Sequence, residues 1–407
     1  MSKILLKDRL EFLYGFSVRV NDEAKGKYPV YGSNGITGYI DNFKIEGPGV
    51  IIGRKGTVGA INFSKDNFTP TDTAYYLVLK DKRQDDIKFW CYYLQLLGLN
   101  KLNTHSSVPG LSREVAYFIK VNPPSFTTQQ KIASVLSSLD SKIDHNNRIN
   151  AVLEVLAKTL YDYWFVQFEF PDKNGNPYKT SGGKIIWNKE LKREIPDGWK
   201  NGLFSDIGNI TGGSTPPKDV SEYFSLDGIA WITPKDLSIN LGNKFITKGE
   251  LDVSEQGAKA ASLKIMPKGT ILLSSRAPIG YLAIARESLT TNQGFKSFVP
   301  KSGYSTSFIY YAIKNALPEI INNASGSTFK EISGGTLKTI KICIPEINVI
   351  QNYTIKVAAI FERQSNLELE NQKLAQLRNW LLPLLMNGQV KLIEKDQNKV
   401  KVTSVNL

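Results

Sequence analysis

An apolar repeat running from Thr127 to about Phe168 constrains this chain more than any other stretch. Ile132, Leu136, Leu139, Ile143, Leu153, Leu160 and Trp164 recur at alternating spacings of four and three residues. That is the a/d seam of a helix made to lie along another helix. Asn146 and Asn150 fall on the same seam, where a polar side chain fixes register at some cost in stability. Pro123 and Pro124 stop whatever precedes the repeat. Thr127, with Gln130 three residues on, has the capping-box pattern and predicts where the helix begins. At 1.5 Å per residue, about 40 residues would make a rod roughly 60 Å long.

Such a rod needs a partner, and the C-terminus supplies one. Tyr353, Val357, Ile360, Leu367, Leu374, Leu381 and Leu385 repeat the same spacing, with Gln364 and Asn371 polar on the seam. This second rod follows Pro345, with Asn348 and Gln351 at the expected N-cap and N3 positions. Pro383 is expected to kink or fray its last turns, and Asn387-Gly388 to stop it. The chain therefore reads as two copies of one plan, shifted by roughly 220 residues.

Each rod is preceded by a stretch of mixed character, and the predicted division is 1–124, 125–170 (rod), 171–198 (linker), 199–345, 346–390 (rod) and 391–407 (tail). In the first stretch, Tyr28 to Gly35 is turn-rich, and Gly49 to Gly53 is a short buried strand followed by the loop Arg54 to Gly59. Tyr75 to Leu79 is another strand, Phe89 to Leu97 a helix with Gly98 as its C-cap, and Ala116 to Val121 a closing strand. The linker is rich in Lys, Asn, Gly and Pro and reads as loop. In the second stretch, Gly269 to Leu273 is the strand and Ser274 to Gly280 its loop. Thr71-Asp72-Thr73 corresponds to Thr291-Asn292-Gln293, and Thr104-His105-Ser106-Ser107 to Ser325-Gly326-Ser327-Thr328. The copies agree in strand cores and rods and differ in polar loop residues.

Composition narrows the class. Across 407 residues, 51 Lys+Arg stand against 38 Asp+Glu, a formal charge of +13 that favours an anionic partner such as nucleic acid. The excess is spread along the chain with no lysine-rich tail. Cys91 and Cys343 lie far apart in apolar surroundings and read as small hydrophobes, and His105 and His145 lack matching Cys/His partners, which argues against a metal site. No apolar run reaches membrane-spanning length and no signal peptide is expected, so a reducing cytoplasm is the expected location.

Several stretches imitate catalysis. Asn122-Pro123-Pro124-Ser125 resembles the Asn-Pro-Pro-aromatic signature of amino-methyltransferases, but Ser125 stands where the aromatic belongs. The glycines at 47, 49 and 53 lack dinucleotide spacing, and there is no Gly-x-x-x-x-Gly-Lys-Ser/Thr loop. Asp72, Asp85 and Asp86 are not singled out as a carboxylate pair. The loops carry more. Arg and Lys reach guanine edges and Asn and Gln adenine edges, so Arg54, Lys55, Arg276, Asn292 and Gln293 are candidate base readers; ordinary loop polarity is the alternative for each.

Two variable domains, each followed by a long helix, resemble the specificity subunit of type I restriction-modification systems. The resemblance rests on Tyr-Pro-Val-Tyr-Gly-Ser-Asn-Gly at 28–35, Thr-Thr-Gln-Gln-Lys-Ile-Ala at 127–133, Ile-Pro-Asp-Gly-Trp at 195–199 and Leu-Leu-Pro-Leu-Leu-Met-Asn-Gly-Gln-Val at 381–390. The first copy departs from it in lacking the Ile-Pro-x-Gly-Trp lead-in. The resemblance implies an α+β fold: two mixed α/β target-recognition domains joined by two long helices packed as an antiparallel coiled coil, in a pseudo-twofold repeat. It implies a non-catalytic reader of an asymmetric bipartite DNA site, with two methyltransferase subunits and translocating restriction subunits as partners. S-adenosylmethionine, ATP and Mg would belong to those partners, with no cofactor in this chain.

On that resemblance the DNA-contacting residues of the first domain are Ser33, Asn34, Arg54, Lys55, Thr57, Thr71, Asp72, His105 and Ser106. Those of the second are Ser214, Thr215, Lys218, Lys235, Ser274, Ser275, Arg276, Asn292, Gln293, Ser327 and Thr328. The aromatic run Tyr161, Tyr163, Trp164, Phe165 and Phe168 is either a partner surface or core packing at a helix end. Two other classes stay open: a stand-alone DNA-modifying enzyme, and a coiled-coil adaptor with no nucleic-acid role.

Overall fold

The structure, a computed structural model, describes residues 3–18, 26–102, 110–276, 278–326, 330–395 and 399–404, with 393–395 and 399–404 described by backbone alone. The chain forms two compact units, Met1–Asp144 with Gln372–Leu407, and His145–Asn371. The division falls inside the two rods rather than at their ends, because each mixed domain packs onto the nearer stretch of both.

In the first unit a four-stranded antiparallel sheet runs in the order Leu10–Tyr14, Ala74–Leu79, Gly49–Gly53, Ile61–Ser64. Gly49–Gly53 is buried at every position. A three-stranded sheet pairs Tyr28–Gly32 with Gly35–Ile40 on one side and Thr69–Pro70 on the other, so the turn-rich motif at 28–35 is a hairpin whose turn is Ser33-Asn34. Helix α1, Ile87–Leu96, starts where the Asp86 carboxylate accepts from the Phe89 N–H at 2.7 Å. Gly98, left-handed at φ 62°, follows its end. The expected closing strand at 116–121 is instead a short helix, Arg113–Tyr117, with only Lys120–Val121 as strand. Ser112 caps that helix by accepting from the Val115 N–H, and Ala116 turns inward as it could not in a strand of that register.

The second unit repeats the plan. Its five-stranded sheet runs Gly208–Gly212, Lys296–Pro300, Ile271–Leu273, Leu282–Ala285, Phe245–Ile246. The first four occupy the same order as the four strands of the first unit. A second sheet orders Phe224–Ser225, Asp252–Val253, Ile229–Ile232 and Thr290–Thr291.

The first rod is helix α2, Phe126–Tyr161, ending in a wide π-type turn at Asp162–Val166. Its N-cap is Ser125, whose Oγ accepts from the Thr128 N–H, and not Thr127. Helix α3 is Thr306–Asn322 and the second rod is helix α4, Ile347–Met386. Helix α4 passes through Pro383 without breaking, because the Asn387 N–H still reaches the Pro383 carbonyl. It stops at Gly388, which is left-handed at φ 71°. Asn348 lies within its first turn, and its Oδ1 accepts from the Val349 N–H.

Part of the predicted seam is buried, while Leu139, Ile143, Leu153, Leu160, Ile360, Asn371 and Leu374 are half-buried. Leu136 and Tyr353 are 0 % exposed, and Ile132, Val357, Leu367, Leu381 and Leu385 are all below a tenth. In the first unit Asp140 meets Arg378. In the second, Asn146 Nδ2 donates to Asn371 Oδ1 at 2.9 Å, Gln364 donates to the Asn150 carbonyl, and the Tyr353 hydroxyl donates to the Ala157 carbonyl. In the second unit rising numbers on one helix meet falling numbers on the other, so the pair is antiparallel there.

Two further expectations are corrected, and the aromatic run takes one of its two readings. The stretch 171–198 is no loop: Ile185–Asn188 pairs with Arg193–Pro196, Ile195 is fully buried and Phe170 stacks on Trp199 at 5.0 Å. The residues after 390 form a hairpin, Val390–Lys395 against Lys399–Ser404. The aromatic run is core: Tyr161, Trp164, Phe165 and Phe168 pack with Phe308, Tyr311 and Tyr353, leaving only Tyr163 exposed.

Substituting Leu136→Ala should cost about 2–5 kcal/mol, because a fully buried seam side chain is removed and a cavity left. Urea denaturation of the full chain measures this, and a loss below about 1 kcal/mol would contradict the seam as the structural spine.

Candidate nucleic-acid interface

In each unit the loops at the ends of the strands converge on one place. In the first, the Gly59 N–H donates to the Gly53 carbonyl at 2.8 Å, the Arg54 N–H to the Thr73 carbonyl at 2.9 Å, and the Leu111 N–H to the Arg54 carbonyl at 2.9 Å. In the second, Gly280 donates to Ser274 at 3.1 Å, Ser275 to Gly294 at 2.8 Å and Ile332 to Ser275 at 3.0 Å. The same backbone frame is built twice, with different side chains on it. The frame also fixes the correspondence: Thr73 matches Gly294, so Thr71 and Asp72 stand opposite Asn292 and Gln293, one residue away from the register expected from sequence. Likewise Thr71 donates to Tyr31 and Asn292 to Ile232, which sets Asn34 opposite Lys235.

In the first unit Ser33, Asn34, Arg54, Lys55, Thr57, Thr71 and Asp72 are brought together. A Cβ on Gly53 would lie 2.7 Å from the Ser33 carbonyl and 2.1 Å from the Thr57 carbonyl, so the close approach of the two loops requires glycine there. Asn34, Lys55, Thr57 and Asp72 are exposed, Ser33 and Thr71 half-buried. Arg54 is held by its own domain. Its Nε and Nη2 donate to the Asp72 carbonyl at 3.0 and 2.7 Å, and its guanidinium lies 5.1 Å from the Tyr14 ring. Arg113 covers the same ring at 4.9 Å. Tyr14, half exposed between two guanidiniums, and Arg113 were not among the sequence candidates. Beneath them, burial and the neighbouring Tyr14 push the Tyr75 hydroxyl up to about 12, against the opposing pull of Arg54 and Arg113. The hydroxyl donates to the Leu111 carbonyl. His105 and Ser106 lie outside the described residues.

In the second unit a cavity of about 550 Å³ is lined by Thr215, Lys218, Lys235, Asn292 and Gln293, together with Phe224, Trp231 and Glu250. Five residues chosen from sequence thus meet in one concavity. Lys218, Lys235 and Gln293 are exposed. The Thr215 hydroxyl donates to Gln293 Oε1, Lys235 pairs with Glu250, and Trp231 Nε1 donates to the Ser214 carbonyl at 3.1 Å. Asn292 is already engaged through its Oδ1, which accepts from the Gly294 N–H at 2.9 Å, so what its amide can offer a ligand is the Nδ2 donor.

Ser274 and Ser275 are corrected. Both are buried, Ser274 Oγ donating to the Pro278 carbonyl and accepting from the Tyr281 N–H. Ser275 Oγ turns to Glu331. Their hydroxyls hold the loop instead of facing a ligand. Arg276 remains half-exposed, 3.7 Å from Glu331, a carboxylate it shares with Lys296 at 3.2 Å. Lys296 and Glu331 come from distant sequence, so spacing gave no sign of them. Ser327 and Thr328 lie outside the described residues. Among the described residues no group of three or more His, Cys, Asp or Glu side chains could hold a metal ion, and no helix is long and apolar enough to cross a membrane.

The sequence model of the type I restriction modification DNA specificity domain matches residues 15–155 and again 196–379. The specificity subunit of the type I restriction enzyme MjaIX of Methanocaldococcus jannaschii is 40% identical over 210 residues, 49% of this chain and 48% of that protein. The HindI specificity subunit of Haemophilus influenzae is 27% identical over 347 residues, 73% of this chain and 74% of that protein. The alignment thus spans about half the length of the first relative and three quarters of the second. A crystal structure of a type I restriction-modification S subunit from M. genitalium superposes with a TM-score of 0.59 at 16% identity, covering 94% of this chain and 95% of that one.

Gln293→Ala should relax discrimination between duplex sequences at one base pair by about 1–3 kcal/mol. Lys218→Ala should instead weaken binding to all sequences alike and lower the salt slope by about one. Duplex titrations of the full chain at two salt concentrations separate the two effects; a uniform loss for Gln293→Ala would make it a backbone contact.

Proposed function

This chain belongs to the type I restriction-modification DNA specificity family, and we propose that it reads an asymmetric, bipartite DNA site, one half with each mixed domain. The observation that carries the reading is the loop frame built twice with the same backbone hydrogen bonds and different side chains. A shared frame places side chains at equivalent depth in the major groove, and different side chains there select different bases. Arg54, Lys55, Thr71 and Asp72 face one half-site; Thr215, Lys235, Asn292 and Gln293 face the other. The surplus of positive charge supplies the sequence-independent attraction to phosphate.

In this reading α2 and α4 are the ruler. A pair of helices locked by Asn146 to Asn371 and by the leucine seam cannot slide without burying unpaired amides. Adding one heptad to each helix, in phase with the seam, lengthens the pair by about 10 Å and should move the accepted half-site spacing by up to about 3 base pairs. Methylation of duplexes with graded spacers measures it, and an unchanged spacing would sink the ruler.

The chemistry belongs, on this reading, to partners. Two methyltransferase subunits carry S-adenosylmethionine and flip the target adenine, and translocating subunits carry ATP and Mg. Helix α2 offers a docking face away from its seam: Val152, Val155 and Leu156 are exposed on it, followed by Tyr163 and Val166 of the turn beyond its end. Helix α4 exposes Leu377 and Trp380 in the other unit. An exposed apolar patch in each unit suits two copies of one partner. Val155→Asp with Leu156→Asp should abolish co-purification of one methyltransferase subunit while leaving the fold of the chain intact by circular dichroism; retention of both subunits would refute the docking face.

A further inference from the structure

Three charged side chains of the second unit, Lys244, Arg286 and Glu368, are each less than a tenth exposed. Such burial is rare for these residue types unless they are paired. Here they join the mixed domain to the helices. The Glu368 carboxylate, on α4, accepts from the backbone N–H groups of Lys244 at 2.8 Å and Phe245 at 3.1 Å, and from Arg286 Nη2 at 2.7 Å. Arg286 also donates to the hydroxyl and carbonyl of Ser365 at 3.1 and 3.2 Å. Lys244 Nζ reaches Glu154 on α2 at 2.6 Å, Gln364 on α4 at 2.7 Å and the Tyr311 hydroxyl on α3 at 2.9 Å. The Tyr311 hydroxyl in turn donates to Glu154, which also pairs with Lys314 at 2.6 Å. Burial raises the Glu154 carboxyl, but Lys244 and Lys314 pull it down to about 2, while burial pushes the Lys244 ammonium down to about 8. Both stay ionised at neutral pH.

A network like this is an inefficient way to add stability, since apolar side chains of similar volume do as well or better. What it adds is direction. Ring contacts such as Lys244 over Phe361 at 4.0 Å tolerate sliding, whereas charged hydrogen bonds weaken steeply when bent. The first unit has a smaller counterpart at the matching place. The Tyr92 hydroxyl of α1 donates to Asp140 on α2, and Asp140 accepts from Arg378 on α4 at 2.7 Å. Gln129 of α2, 1 % exposed, accepts from the Asp86 N–H and donates to the Gln84 carbonyl, both at 3.0 Å.

We propose that the buried network of Lys244, Glu154, Gln364, Arg286 and Glu368 is a positioning device: it fixes the angle at which the second recognition domain is held on the helix pair, and so the base-pair spacing at which its half-site is accepted. The inference rests on the reading of the chain as a bipartite DNA reader. None of these residues touches DNA; they act through the loops they orient.

The test uses the full chain in its methyltransferase complex, with duplexes bearing the mapped site at its natural spacer and at spacers one base pair shorter and longer. Arg286→Met with Glu368→Leu replaces the charges by apolar volume. The variant leaves the Lys244 and Phe245 N–H groups without their acceptor, so its melting midpoint should fall, while its base preferences in both halves should be kept. Its ratio of kcat/KM on the natural spacer to that on altered spacers should fall at least tenfold. An unchanged ratio in the folded variant overturns the proposal. Tyr311→Phe, which keeps the ring and loses only the hydroxyl, should lower the ratio by about threefold, and an unchanged ratio there overturns it even if the double variant fails to fold. If the natural complex itself accepts every spacer equally, the bipartite reading fails and the positioning device with it.

Discussion

Everything in this chain hangs on the contact between two antiparallel helices. Apolar side chains such as Leu136, Tyr353, Val357, Leu367 and Leu381 bury the stripes of α2 and α4, and such stripes are unfavourable in water. Burial alone would permit several registers related by a heptad. The amides remove that freedom: Asn146 meets Asn371, and Gln364 meets the Asn150 carbonyl, so any shift strands polar groups in the seam. Each mixed domain then completes its core on these helices, Trp90 and Leu94 beside Leu136 and Leu385 in one unit, Phe308 and Tyr311 beside Tyr161 and Tyr353 in the other.

Given that spine, the division of labour follows from where polarity is allowed. The central strands are apolar in both copies, Val50-Ile51-Ile52 in one and Ile271-Leu272-Leu273 in the other. The loop frame above them is held by backbone hydrogen bonds, which do not depend on side-chain identity. Side chains on the frame are therefore free to differ between copies, and they do: Lys55 stands where the other copy has Arg276, Asn34 where it has Lys235, and Thr71 where it has Asn292. A scaffold whose geometry is independent of its reading residues is suited to acquiring new targets without refolding.

The seam was legible in the sequence because a period of three and four residues survives any loop insertion, and so were the buried strand Gly49–Gly53 and the glycine stops at Gly98 and Gly388. Several loop candidates were also legible, since Thr215, Lys218, Lys235, Asn292 and Gln293 meet in one cavity. What escaped was set by tertiary context. Arg113 and Tyr14 come together only once the short helix Arg113–Tyr117 and the first sheet are in place, and Lys296 reaches Glu331 across a long stretch of chain. Ser274 and Ser275 had the right chemistry for a ligand but point inward, which spacing does not encode. The hairpin in 171–198 was hidden because three isoleucines are diluted among Lys, Asn and Gly, and the network around Glu368 because its members are scattered over four elements.

The central claim is that one chain specifies two different half-sites at a fixed separation. The most direct measurement is a genome-wide map of adenine methylation in the source cells, with the gene intact and deleted, under conditions where the methyltransferase partner is expressed. The account predicts that one split, asymmetric motif with a single spacer length loses its methylation on deletion, while all other motifs are kept. Loss of a continuous or palindromic motif, or no loss at all, would contradict it.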